Sequence, residues 1–183
     1  MDLMFAGNIG AAQSLDTVLK AAEILKDIPD LRWHIVGDGS ELEHLKAVAA
    51  EKHLDQVIFY GRRPAEEMPD FYAKADAMLV TLTADKFISL TLPGKVQTYM
   101  AAGKPIIGAA NGEIPNAIQA ANCGFCAEAE DADGLAEAVQ KFLNLPNKEA
   151  LGLNAQKYYE HNFTKTMFMD RLEAELVSCS IKF

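Results

Sequence analysis

At 183 residues, with half of them hydrophobic and 23% charged, the chain has ordinary globular composition and enough length to bury a core without disulfides or a metal. A formal net charge of −9 argues against nucleic acid or an anionic membrane as a default partner. There is no basic region leading into a long apolar run, no segment approaching the roughly 18 apolar residues of a membrane span, and no disulfide framework in three cysteines, so the expected setting is reducing and cytoplasmic.

Short apolar runs alternate with amphipathic segments along the whole chain. Residues 3–6 predict a first strand, followed at once by Gly7-Asn8-Ile9-Gly10. Leu15, Val18, Leu19, Ala22 and Leu25 then recur at helical spacing, with Ser14 as N-cap and Pro29 as the stop. Residues 31–36 predict a second strand, which Gly37-Asp38-Gly39-Ser40 turns into a helix carrying Leu42, Leu45 and Ala49. A third strand at 57–60 ends in Gly61-Arg62-Arg63-Pro64, a helix follows over 65–74, and a fourth strand lies at 77–82. After a long loop, Pro93 opens a short helix at its first position and Gly103 closes it, ahead of a fifth strand at 105–108. A helix over 112–121 and a sixth strand at 124–127 come next. Beyond Asp133 the apolar series Leu135, Val139, Phe142, then Leu151, Ala155, Tyr158, then Phe168, Leu172, Leu176 predict helix to the end.

Strands alternating with helices imply a parallel sheet with helices on both faces, because right-handed crossovers place them there. The expected class is therefore α/β, a Rossmann-like doubly wound parallel six-stranded sheet with a helical C-terminal tail. Such sheets bind ligands beyond the carboxyl ends of the strands, near the point where strand order reverses. The loops that matter are then 7–13, 37–40, 61–64 and 83–94.

The first loop suits a backbone cradle for phosphate or sugar, or simply a tight turn, and it does not match the dinucleotide fingerprint G-x-G-x-x-G. Gly37-Asp38-Gly39 reads as a turn, with Asp38 alternatively placed to contact a ribose, as acidic residues after the second strand do in NAD-binding folds. Cys123-Gly124-Phe125-Cys126 has redox or metal spacing, but no second pair accompanies it and it sits in an apolar strand pattern, so buried structural thiols are expected. His34, His44, His53 and His161 lack partner spacing, and none is assigned a metal. The helix opened by Pro93 directs its first-turn amides at the loop end, and Lys95 adds a full charge beside them, which together suit a phosphate group. Val96, Tyr99 and Met100 form its buried face.

These pieces, F-A-G-N-I-G-A-A-Q-S-L-D, W-H-I-V-G-D-G-S-E-L, V-I-F-Y-G-R-R-P-A-E-E-M and L-P-G-K-V-Q-T-Y-M-A-A-G-K-P-I-I, in this order, followed by N-C-G-F-C-A-E-A-E-D-A-D-G-L, cover nearly the whole chain. The ordered set resembles the C-terminal, donor-binding domain of GT-B glycosyltransferases of family four, nearest to the subgroup of cell-surface polysaccharide assembly with an A-G-N-I-G first loop and a P-x-K helix start. The resemblance implies retaining transfer of a sugar from a nucleotide diphosphate donor, a UDP-sugar, to a hydroxyl acceptor, with no metal or other cofactor. It implies Lys95 as the catalytic cation and Gly7, Asn8, Gly10, Gln13, Arg62, Pro93, Gly94 and Thr98 as donor-binding residues. Three positions depart from the family. Asn8 and Gln13 stand where it places an Arg and a Lys, and its E-x7-E pair falls on Leu90 and Thr98, so that a hydroxyl at Thr98 replaces the ribose-binding Glu. Residues 1–163 are expected to form the donor-binding domain, and 164–183 a helix reaching toward an N-terminal acceptor domain of the same full-length protein. That domain would complete the active site and carry any peripheral association with the inner membrane face, and the chain alone would bind donor weakly at best and would not turn over. The alternatives are a degenerate donor domain kept for scaffolding and a Rossmann oxidoreductase.

Overall fold

The computed structural model describes residues 1–180, so the last three residues of the predicted tail, 181–183, lie outside the described residues. Six strands, β1 (Asp2–Ala6), β2 (Arg32–Val36), β3 (Val57–Gly61), β4 (Ala77–Thr81), β5 (Ile106–Ala109) and β6 (Gly124–Ala127), form one parallel sheet in the order β3-β2-β1-β4-β5-β6. The helices are α1 (Leu15–Ile24), α2 (Leu42–Glu51), α3 (Met68–Lys74), α4 (Gly94–Ala101), α5 (Glu113–Ala121), α6 (Ala132–Leu143), α7 (Glu149–Asn162) and α8 (Lys165–Ser180). The doubly wound prediction holds throughout, and strand order reverses between β1 and β4.

Each strand reads as a continuous apolar run because both of its faces are covered. Leu3 and Phe5 of β1, Trp33 and Ile35 of β2 and Leu79 of β4 pack under α1, α2 and α6. Met4, Ala6, Val36, Met78 and Val80 point the other way and pack with α4, α5, Ala155 of α7 and the half-buried Met68, Phe71 and Tyr72 of α3. Helix α8 leaves Phe168, Leu172 and Leu176 exposed.

The switch point carries the feature that fixes the site. Strand β1 follows β2 to Ala6↔Val36, but pairs with β4 only at Leu3↔Ala77 and Met4↔Met78. In a parallel strand the N–H and C=O of one residue point to the same side, so Ala6 aims both groups into the gap where β4 has diverged. The hydroxyl of fully buried Tyr99 fills that gap, accepting from Ala6 N–H at 3.0 Å and donating to Ala6 C=O at 2.7 Å. Val96, Tyr99 and Met100 are the buried face of α4, as predicted, and Tyr99 is also its clasp.

Several local expectations are corrected. Ser14 makes no side-chain cap; it follows a 3-10 turn at Ala11–Gln13 in the left-handed conformation (φ 46°), with its Oγ 2.9 Å from Thr17 Oγ1. Helix α1 stops at Ile24, well before Pro29, because tight turns through Lys26 and Ile28 have already left helical geometry. Pro93 is the N-cap of α4, with ψ 140°, and Gly94 the first helical residue; the ring fixes φ only, so it suits either position. The helix predicted from residue 65 begins as a 3-10 turn at Ala65–Glu67 and becomes α only at Met68, where Pro69 falls in the first turn. Gly103 ends α4 as expected, at φ 64°, with its N–H on Met100 C=O and that of Lys104 on Tyr99 C=O.

Cys123 is buried, Cys126 half-buried, and both are free thiols that burial pushes up to about 12 and about 11. Among the described residues no group of three or more His, Cys, Asp or Glu side chains converges on a metal-sized site. His34 is not isolated: it lies between Asp2 Oδ1 at 2.9 Å and the Tyr60 hydroxyl at 2.8 Å. None of the helices among the described residues is long and apolar enough to cross a membrane.

Candidate functional site

Three loops at the carboxyl ends of β1, β2 and β3 are stitched together by main-chain hydrogen bonds. Gly7 N–H donates to Val36 C=O at 2.9 Å, Ile9 N–H to Asp38 C=O at 2.8 Å, Glu41 N–H to Ile9 C=O at 3.0 Å and Gly37 N–H to Gly61 C=O at 2.9 Å. Gly37 permits this seam: at φ 142°, a Cβ there would lie 1.8 Å from Gly7 O. Gly37→Ala is therefore expected to cost at least about 2 kcal/mol in urea unfolding, through backbone strain and displacement of the first loop. An unchanged midpoint would show that the two loops are not held in this contact.

Close to Gly7 stands Lys95, the second residue of α4. Its ammonium donates to Gln13 Oε1 and lies 4.2 Å from the centroid of the Phe5 ring, a cation–π distance. A Cβ on Gly7 would come within 3.2 Å of Lys95 Nζ, so the glycine leaves the ammonium open to the loop. Gln13 is itself pinned, its C=O taking the Thr81 hydroxyl at 2.5 Å, while Thr83 N–H donates to Ala12 C=O at 3.1 Å. Burial lowers the Lys95 pKa from its ordinary value to about 8. The start of α4 carries no side-chain cap, so its first-turn amides add partial positive charge beside a full one. The arrangement concentrates positive charge at the start of α4.

A cleft of about 690 Å³ also borders Gly7, lined by Asn8, Asp38, Arg62, Met68 and Tyr72 among others but not by Lys95. Gly7 therefore joins two features: the cleft, which also takes in Asn8 and Arg62, and the cation pocket of Lys95 and Gln13. Pro93 and Gly94 open α4 beside the latter. Two predicted residues fall elsewhere. Thr98 is exposed and spends its hydroxyl on Gly94 C=O at 3.1 Å, one turn back in its own helix. Gly10 does not line the cleft; it borders a separate hollow with Ser14, Thr83 and Glu130, because the chain turns away after Asn8. Sequence reasoning placed Tyr99 only in the core and missed Phe5 as the aromatic floor of Lys95. A phenol on a buried helix face was the available signal for the first; nothing local pointed to the second.

Residues 2–158 match the family model described as "Glycosyl transferases group 1". The chain belongs to that family. A relative named probable glycosyltransferase WbjE, from Pseudomonas aeruginosa, is 27% identical over 172 residues, covering 93% of this chain and 42% of its own length. N-acetyl-alpha-D-glucosaminyl L-malate synthase of Bacillus anthracis is 27% identical over 160 residues, with 86% of this chain and 40% of the relative covered. Among solved structures, Anabaena Alr3699/HepE in complex with UDP superposes with a TM-score of 0.82 at 19% identity, over 97% of this chain and 48% of that one. The chain thus spans about two fifths of the curated relatives it matches. It has the fold of the donor-binding C-terminal domain of GT-B enzymes, and the Lys95 pocket and the cleft lie at the switch point of that fold.

Proposed function

We propose that this chain is the nucleotide-sugar-binding half of a retaining glycosyltransferase, of the family-four subgroup that assembles cell-surface polysaccharide. It holds a UDP-sugar with the nucleoside in the 690 Å³ cleft and the diphosphate at the Lys95 pocket. The observation that carries this reading is the Lys95 ammonium, fixed by Gln13 and Phe5 beside Gly7 at the uncapped start of α4. When the bond from the anomeric carbon to the donor oxygen breaks, negative charge grows on the diphosphate, and preorganised positive groups stabilise that charge without rearranging. Lys95 and the α4 amides supply it, so the reading calls on no metal. Arg62, on the cleft wall, serves the base or the phosphates, and Asn8 and Gln13 act as neutral contacts.

The acceptor side belongs to an N-terminal domain of the same full-length protein, with the sugar moving between them on the cytoplasmic face of the membrane. Support for this comes from family membership and from the fraction of the relatives' length that the chain spans. An oxidoreductase is not favoured: the family match stands against it, and the first loop lacks the dinucleotide fingerprint.

The test is the pH dependence of UDP affinity, measured calorimetrically on this chain. With its pKa lowered to about 8, Lys95 is charged below that pH and neutral above it. A bound diphosphate favours the charged form, so affinity is expected to hold steady near neutrality and to fall about tenfold by pH 9.5. A flat profile would remove Lys95 from diphosphate binding. No heat with UDP at any pH would remove the nucleotide reading itself.

A further inference from the structure

The nucleotide reading gives no role to the carboxylate of Asp38, which lines the cleft. It is the one carboxylate among the described residues lining the cleft, which otherwise presents the Arg62 and Arg63 guanidiniums, the Asn8 amide, and the Met68 and Tyr72 side chains. Its position is held from two sides. The backbone C=O of Asp38 takes Ile9 N–H at 2.8 Å, which ties it to the first loop, and Gly39 N–H donates to Asp38 Oδ1 at 2.8 Å, which sets the carboxylate plane. Oδ2 carries no protein hydrogen bond among the described residues.

A carboxylate here is costly beside a diphosphate unless donors come between them, because like charges repel and each oxygen wants a hydrogen-bond donor. The moiety that follows the diphosphate in a nucleotide is a ribose, whose vicinal hydroxyls are two adjacent donors. Asp38 stands on the loop sewn to the first loop, in the cleft that Gly7 lines and Lys95 does not. Thr98, the other candidate for this contact, has already donated its hydroxyl to Gly94 and does not line the cleft.

We infer that Asp38 is the ribose-binding residue of the cleft, accepting hydrogen bonds from the nucleotide's 2′- and 3′-hydroxyls. The inference rests on the nucleotide reading above. It makes ribose against deoxyribose the distinction that this residue enforces, independently of the base.

The experiment compares UDP with 2′,3′-dideoxyuridine 5′-diphosphate by calorimetry on the wild-type chain, Asp38→Ala and Asp38→Asn. The asparagine keeps an oxygen for Gly39 N–H and so preserves the loop if the alanine variant unfolds. Wild type is expected to bind UDP at least about tenfold tighter than the dideoxy compound, as suits hydrogen bonds to a charged acceptor. Asp38→Ala is expected to bind the two alike, and Asp38→Asn to keep only a few-fold preference. Wild-type indifference to the hydroxyls would overturn the inference while leaving nucleotide binding intact. So would a preference that survives both substitutions, or variants that alter only the choice between UDP and GDP. Failure of wild type to bind either compound would instead overturn the nucleotide reading, and the inference with it.

Discussion

Replacing Lys95 by methionine is expected to abolish UDP binding and, in the same protein, to raise the stability of the unliganded domain. The two effects have one cause. Burial lowers the Lys95 pKa to about 8, so the folded chain holds this proton less tightly than the unfolded chain does. Between that value and the ordinary lysine range the unfolded state binds more protons, and stability rises with pH. Below about pH 8 the full cost of burying the charge is present. Gln13 and the Phe5 ring offset part of it. A methionine of similar length fills the same space with no charge to desolvate, and such replacements of buried ionic groups are commonly neutral to stabilising. The expected gain at pH 7 is on the order of 1 kcal/mol by urea unfolding, alongside at least a hundredfold loss of UDP affinity. A methionine variant that bound UDP normally would contradict the role given to Lys95. One that unfolded more readily, with binding lost, would mean that the lysine serves the fold.

Tyr99→Phe is the corresponding test of the scaffold. The phenol is fully buried and satisfies both main-chain groups of Ala6 at the point where β1 and β4 separate. Phenylalanine keeps the ring and its T-shaped contact with Tyr72 at 5.9 Å, but leaves a buried N–H and a buried C=O unpaired. Each orphaned group costs about 1–3 kcal/mol, so a loss of about 2–4 kcal/mol is expected in urea unfolding. Because Ala6 immediately precedes Gly7, UDP affinity should fall as well. A loss below about 0.5 kcal/mol would show that the gap between the strands closes without the hydroxyl.

Much of the architecture was legible in the sequence because its signals are strong and local. All six strands were apolar runs bounded by Gly, Pro, Asp or Asn, and their alternation with helical periodicity specifies a doubly wound sheet once crossovers are right-handed. Errors gathered at element ends. Ser14 looked like a cap, yet a 3-10 turn before it imposed a left-handed backbone that aims its hydroxyl at Thr17. Pro29 looked like a helix stop, yet turns had ended the helix earlier. Such outcomes depend on how a loop packs, and no residue type encodes that.

The candidate site divides in the same way. Lys95 could be read because a proline-opened helix with a lysine in its first turn is a local pattern with a physical meaning. Its partners could not. Gln13 meets Lys95 across 82 positions of chain, and Tyr99 reaches Ala6 across 93, contacts that exist only once the sheet order is set. Thr98 and Gly10 are assigned to the site through family positions alone; in the structure the Thr98 hydroxyl donates back into its own helix, and Gly10 borders another hollow.

The central claim is that one continuous site, joined at Gly7, takes nucleoside on one side and diphosphate on the other. Amide chemical-shift mapping of the chain titrated with UDP tests it most directly. The expected result is saturable shifts at Gly7 and Asn8, at Gly94 and Lys95, and at Gly37–Gly39 and Arg62, with the opposite end of the sheet around Gly103 and Lys104 unmoved. Shifts confined to that opposite end, or none at saturating UDP, would contradict the account.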